Sequence, residues 1–148
     1  MSDVVVKVIP KDPEFVPSET SLGLVQEWIK LNVSNEETKY MLTDEVRFID
    51  QGENFESICC PFCLNRIDLE WWSEQMDRAS ETAFHQLSVV TECCSKATSL
   101  NDLNYKWNAG FSRFSIEIRN PQDELKIEHT EYLEQLMGCP IRKVVAYY

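Results

Sequence analysis

The stretches that decide the fold of this chain are Cys60-Pro61-Phe62-Cys63 and the adjacent pair Cys93-Cys94. A Cys-Pro-x-Cys spacing lets both sulfurs approach one metal ion from a single turn, at about 2.3 Å from zinc. Neighbouring residues on an extended strand point to opposite sides, so Cys93 and Cys94 can share an ion only where the chain bends. Two close groups of thiols therefore predict one structural zinc ion held by Cys60, Cys63, Cys93 and Cys94.

Other interpretations of the thiols stay open in the sequence. A redox dithiol needs its first thiolate near a helix N-terminus, but residues 64–67 separate Cys63 from a helix predicted to begin at Asp68. A structural disulfide is typical of secreted chains, and residues 1–3 have none of the features of a signal peptide. Cys59 and Cys139 are surplus to a four-ligand site, and we interpret both as buried, unreactive thiols. Cys59 could still replace Cys60, and His85 could replace one of the later cysteines.

The chain is strongly acidic, with a formal net charge of −11 over 148 residues. Phosphate backbones are bound by clusters of Lys and Arg, and basic residues are sparse even between positions 59 and 109: Arg66, Arg78, Lys96 and Lys106. The charge argues against a nucleic-acid partner and favours a basic protein, which such a field would attract. No apolar run approaches the ~20 residues that span a bilayer, so we expect a cytoplasmic protein without a membrane contact. The sequence does not indicate an oligomeric state.

Periodicity predicts β-α-β order before the cysteines. The β-branched run Val4–Ile9 is typical of a buried strand, and Ser18 or Ser21 can cap a helix that ends near Asn32. Strand character returns at Glu45–Ile49. In the cysteine-bearing part, Asp68 is predicted to cap a second helix, and Ser99 to open a short turn at Leu100–Leu103.

The C-terminal part repeats the same order. Phe114, Ile116 and Ile118 alternate with polar residues, which is typical of a strand with one wet face. Asn120-Pro121 is predicted to start a helix that Gly138 ends, and a last strand covers Lys143–Tyr148. We expect a single α+β domain: a ferredoxin-like βαβ-βαβ sandwich formed by residues 1–58 and 110–148, with a zinc-ribbon-like module of residues 59–109 inserted.

Several stretches together resemble an uncharacterised family of small bacterial proteins, over most of the chain. They are Phe55-Glu56-Ser57, the two cysteine motifs, Trp71-Trp72, Ser99-Leu100-Asn101-Asp102-Leu103 and Gly138-Cys139-Pro140. The resemblance implies zinc-binding cysteines and a bacterial cytosol. It implies no catalytic residue, since no activity is established for that family.

The function predicted is a zinc-stabilised, acidic, non-enzymatic protein-interaction domain, of the kind that inhibits or neutralises a basic partner. Four thiolates fill the coordination shell of zinc and leave no open position for catalysis. Polar and aromatic residues mark an interaction surface, because Tyr and Trp contribute large contact area at small entropic cost: Trp71, Asp102, Tyr105 and Trp107. The alternative is an enzyme or small-ligand binder that uses the cleft between module and sandwich, with Asp102, Tyr105 and Trp107 as its lining.

Overall fold

A computed structural model describes residues 3–148, and within that range the chain folds as a mixed α+β protein with three α-helices and antiparallel sheets. The elements in chain order are β1 (Val4–Pro10), α1 (Glu19–Asn32), β2 (Glu37–Ile49), β3 (Ile58–Cys59), α2 (Leu69–Ser80), β4 (Ser88–Val90), β5 (Ala97–Ser99), a 3-10 helix (Leu100–Asp102), β6 (Asn104–Tyr105), β7 (Gly110–Arg119), α3 (Ile127–Met137) and β8 (Ile141–Tyr147). None of the described helices is both long enough and apolar enough to pass through a membrane.

The main sheet has four strands in the order β2-β7-β1-β8, and each neighbouring pair is antiparallel. The apolar positions predicted for β7 are confirmed, because Phe114, Ile116 and Ile118 are all buried, but the opposite face is not uniformly wet, since Ser115 is buried as well. The register sets Ile116 opposite Val8 of β1 and Ile118 opposite Val6. Apolar side chains of adjacent strands therefore share one face of the sheet.

Helices α1 and α3 cover that apolar face. Ser18 caps α1 as predicted, since its hydroxyl accepts a hydrogen bond from the Ser21 backbone N–H at 3.1 Å. Gly138 ends α3 with φ of 78°, the left-handed conformation that glycine adopts without strain. The first core lies between helices and sheet and contains Val6, Val8, Val25, Ile29, Phe114, Ile116, Ile118, Leu125, Leu133, Met137 and Ile141.

The predicted start of α3 at Asn120-Pro121 is wrong, since the helix begins at Ile127 with Lys126 as its cap. The side chain of Asn120 is already occupied: its Oδ1 accepts from the Val4 backbone N–H at 2.9 Å, and its Nδ2 donates to Asp3. Asn120 also has φ of 46°, whereas an N-cap residue is normally extended. Long-range hydrogen bonds therefore outweigh the local helix-start signal.

The part of the chain between β2 and β7 contains a second core. Helix α2 starts as predicted, with the Asp68 carboxylate accepting from the Glu70 backbone N–H at 2.9 Å. The same part of the chain contains two small sheets, β3 with β6 and β4 with β5. Phe111 of β7 is fully buried in this core, and its ring lies 5.1 Å from Phe48 and 5.5 Å from Phe84. The division into a sandwich and an insert of residues 59–109 stays a prediction.

Candidate metal centre

The first cysteine pair lies in a tight turn directly after β3. The Cys60 backbone N–H donates to the Asn65 carbonyl, and the Leu64 N–H donates to the Cys60 carbonyl, both at 2.9 Å. Leu64 has φ of 63°, which folds the chain back on itself. The Phe62 N–H points toward the Cys60 sulfur at 3.4 Å. This local geometry presents both sulfurs of the Cys-x-x-Cys motif to one point.

The second pair lies in the turn that joins β4 to β5. The Thr91 N–H donates to the Lys96 carbonyl at 3.0 Å, and the Ser95 N–H donates to the Thr91 carbonyl at 2.8 Å. Ser95 has φ of 53°, so the chain turns sharply right after the adjacent cysteines. This is the bend that two neighbouring ligands require.

The two turns bring Cys60, Cys63, Cys93 and Cys94 together, with their four sulfur atoms within 4.8 Å of one another. The Cys63 and Cys93 sulfurs are 3.5 Å apart, and those of Cys60 and Cys94 are 3.9 Å apart. Thiolates about 2.3 Å from a tetrahedral zinc ion lie roughly 3.8 Å from each other. The spacing and the chemistry of the four sulfurs therefore fit a metal ion.

The four thiols perturb one another's protonation. Burial alone would raise the pKa of Cys60, but N–H groups of Cys63 and Phe62 and the neighbouring thiols lower this pKa to about 6. A hydrogen bond with Cys63, together with burial, raises the pKa of Cys94 to about 12. The pKa of Cys93 is also raised, first by its hydrogen bond with Cys60. One thiolate is thus stabilised by protonated neighbours, and a metal ion that takes all four thiolates must displace those protons.

Other candidate ligands lie outside this group. Within residues 3–148 the group of close sulfurs excludes Cys59, Cys139 and both histidines. The exposed His85 ring contacts the Glu14 carboxylate through Nδ1, and His129 Nδ1 accepts from the Lys126 backbone N–H at 3.1 Å. Cys59 and Cys139 are half-buried rather than buried as predicted, and burial raises the pKa of the Cys139 thiol to about 11, which fits an unreactive thiol.

The residues predicted to form an interaction surface are not brought together as one. Tyr105 is only 5% exposed, so its assignment to an exposed surface is wrong. Its hydroxyl donates to the Leu100 carbonyl at 2.7 Å and accepts from Trp72 Nε1 at 3.2 Å. Asp102 is exposed in the 3-10 helix, while Trp71 is half-buried against the second core.

Two separate concavities contain the remaining aromatic residues. Trp71 lines a cavity of about 340 Å³ that also includes Cys93. Trp107 is 40% exposed and lines a groove of about 480 Å³ together with Tyr147. Tyr147 was not predicted as a site residue, because nothing local in β8 indicates that a residue forty positions earlier packs against it.

Searches against protein-family models, curated proteins and solved structures found no match to this chain. The resemblance to a family of small bacterial proteins gains no support from these searches and stays a prediction. The function is therefore inferred from the geometry of the site.

Proposed function

We propose that the four cysteines hold one structural zinc ion in a non-enzymatic domain that binds a basic protein partner. The observation that carries this proposal is the approach of four sulfur atoms to within 4.8 Å of one another. Soft thiolate ligands in a tetrahedral arrangement select zinc or iron–sulfur centres, and the two-turn pattern is that of zinc ribbons.

A structural role follows from the number and type of ligands. Four thiolates complete the tetrahedral shell, whereas a hydrolytic zinc ion keeps a position for water. The two histidines, which are the usual general bases, contact Glu14 and the Lys126 backbone instead of the cysteines. The metal ion thus supplies a cross-link between two turns of the chain, which stabilises the small sheets around it.

The strand order of the main sheet and the position of its two helices favour a ferredoxin-like fold. The strand order β2-β7-β1-β8 is antiparallel throughout, and α1 and α3 lie on one face. This is the order that two interlocked split β-α-β units produce. In this proposal the zinc-bearing module is inserted after the second strand of a bacterial, cytosolic protein, as the motif resemblance implies.

The partner is inferred from the charge of the chain. A net charge of −11 speeds encounters with basic proteins and repels nucleic acid. An inhibitor or immunity-type protein that neutralises a basic target uses this property directly. Association should then slow steeply as salt increases, since exposed charges are screened over about 8 Å at physiological ionic strength.

The test combines metal analysis with isolation of the partner. Protein purified without added zinc should contain one zinc ion per chain by mass spectrometry of the metal. Affinity purification from the source cells should yield a basic protein whose association rate with the pure chain falls with salt. A metal-free chain with a Cys60–Cys63 disulfide would contradict the zinc site, and tight binding of duplex DNA at physiological salt would contradict the choice of partner.

One observation favours a small-ligand binder, at a cavity other than the predicted cleft lined by Asp102, Tyr105 and Trp107. The cavity of about 340 Å³ beside Cys93 is lined by Trp71, Arg66 and Glu92, which combine an aromatic surface with both charges. A small molecule that shifts the indole signal of Trp71 in a ¹H–¹⁵N spectrum, and protects Cys93 from alkylation in the metal-free protein, would support this second candidate.

A further inference from the structure

A groove of about 480 Å³ lies beside β8, and none of the four clustered cysteines lines it. Its aliphatic lining comes from Val4, Val6 and Val145, and two aromatic side chains, Trp107 and Tyr147, border it. The rings of Trp107 and Tyr147 are 5.9 Å apart, and about 40% of each residue is exposed. An apolar concavity with exposed aromatic residues is typical of a binding site.

Trp107 is held in its exposed position by three contacts. Its carbonyl accepts a hydrogen bond at 3.1 Å from the side chain of Gln51, a buried residue. Its indole Nε1 donates to Glu56 at 3.3 Å, and its ring contacts Tyr147. The residue has φ of 63°, a left-handed conformation that costs a bulky side chain about 1–3 kcal/mol and that surrounding contacts must stabilise. The aromatic side of the groove is therefore preformed.

The backbone of Tyr147 is also held in place, because the outer edge of β8 is paired. The Glu53 N–H donates to the Tyr147 carbonyl at 2.9 Å, and the Asn54 side chain donates to the Val145 carbonyl at 2.9 Å. Gly52 allows this close approach: a Cβ at that position would lie 2.4 Å from the Tyr147 carbonyl oxygen. An occupant thus meets a paired strand rather than an open strand edge.

The charges of the groove select a cationic occupant. Asp123 and Glu124 line it, are exposed, and form no ion pair within residues 3–148. The basic lining residue, Lys143, keeps its positive charge while its ammonium donates to the Leu125 carbonyl at 2.8 Å, so two carboxylates against one ammonium leave the lining with a net charge of −1. A second copy of the chain is a poor occupant, because each copy carries a net charge of −11.

We infer that this groove docks an extended basic segment of the partner protein, an inference that rests on the proposed function. Apolar side chains of the segment cover the valine-lined floor, and its Lys or Arg residues meet Asp123, Glu124 and the faces of Trp107 and Tyr147. Cations over an indole face gain additional attraction from the ring. The groove therefore supplies both the apolar contact and the charge that recognition of such a segment needs.

The test uses a synthetic hexapeptide of alternating lysine and leucine, with a glutamate–leucine hexapeptide for comparison. Titration into the zinc-loaded full chain should shift the indole N–H signal of Trp107, assigned with Trp107→Phe, and leave those of Trp71 and Trp28 in place. Trp107→Ala should weaken binding about tenfold. The double variant Asp123→Asn, Glu124→Gln should weaken it several-fold and flatten its salt dependence.

The matched control is Glu128→Gln, Glu131→Gln, which removes the same charge from the exposed surface of α3. It should bind the lysine–leucine peptide as the wild-type chain does. Melting temperatures of all variants show whether a loss reflects unfolding; if Trp107→Ala unfolds, the acidic double variant decides. If the wild type and both groove variants bind the lysine–leucine peptide equally well, the groove is not the docking site, although the proposal of a basic partner still stands.

Two further outcomes separate the inference from the proposed function. Equally tight binding of the glutamate–leucine peptide at Trp107 would overturn the basic occupant of the groove, whereas the basic partner is tested separately by its isolation. A failure of the lysine–leucine peptide to bind at millimolar concentration would overturn the groove alone, since the partner is isolated independently.

Discussion

Replacing Cys60 with serine should remove the zinc ion and destabilise the part of the protein between β2 and β7. Cys60 is fully buried, and its sulfur lies 3.9 Å from that of Cys94, 34 positions later in the chain. A metal bridge across that loop restricts the unfolded chain as a covalent cross-link does, and the chain-entropy model gives roughly 3.8 kcal/mol for a loop of this length. At about 2–4 °C per kcal/mol for a chain of this size, the melting temperature should fall by roughly 8–15 °C.

Metal content and thermal unfolding followed by circular dichroism measure this effect. The matched control is Cys59→Ser, because Cys59 precedes Cys60 directly but lies outside the group of four sulfurs. The control should keep one zinc ion per chain and the wild-type melting temperature. A chelator added to the wild-type protein should reproduce the loss seen with Cys60→Ser.

Two results would refute this reasoning. Cys60→Ser that keeps its zinc ion and its melting temperature would show that another residue completes the site. Loss of zinc in Cys59→Ser would mean that the neighbouring sulfur is the ligand and that the turn geometry is misassigned.

Four other predictions concern single groups. His85→Ala should keep one zinc ion per chain, and a metal-free variant would contradict the ligand set. Zinc binding should weaken at lower pH, because the raised pKa of Cys94, about 12, means that binding displaces its proton; chelator competition at about pH 6 and pH 8 tests this. Phe111→Ala should lower the unfolding free energy measured in urea by about 3–5 kcal/mol, and a change under 1 kcal/mol, about that of an exposed site, would contradict its central position. Asp50→Asn should cost about 1–3 kcal/mol, because Lys7 is 5% exposed and loses its carboxylate partner. Burial alone would raise the pKa of Asp50, but the Lys7 ammonium holds this pKa below its ordinary value. The stabilisation by the ion pair is therefore present above about pH 4 and is lost as pH falls through the lowered pKa. Urea unfolding should show a smaller difference in stability between Asp50→Asn and the wild type at about pH 3 than at about pH 7.

The sequence by itself determined the features that depend on neighbouring residues. The Cys-x-x-Cys turn, the cap at Asp68 and the end of α3 at Gly138 are each made by hydrogen bonds and backbone angles within a few positions. The burial of Phe114, Ile116 and Ile118 in β7 likewise follows the two-residue period of a strand. Spacing also indicated which four cysteines the fold would bring together, because each pair is local and only the meeting of the two pairs is long-range.

The tertiary structure decided every feature for which distant groups compete. Asn120 has the residue type of a helix cap, yet its side chain forms hydrogen bonds with Val4 and Asp3, more than a hundred positions earlier. Helix α3 therefore begins later, at Ile127. Tyr105 has the composition of a surface loop around it, but a hydrogen bond from Trp72 and the second core bury it. Trp107 and Tyr147 meet only because the chain after β2 covers the edge of β8. Local sequence patterns indicate the conformations that a segment favours, whereas burial and hydrogen bonds to distant residues decide which of these conformations the folded protein adopts.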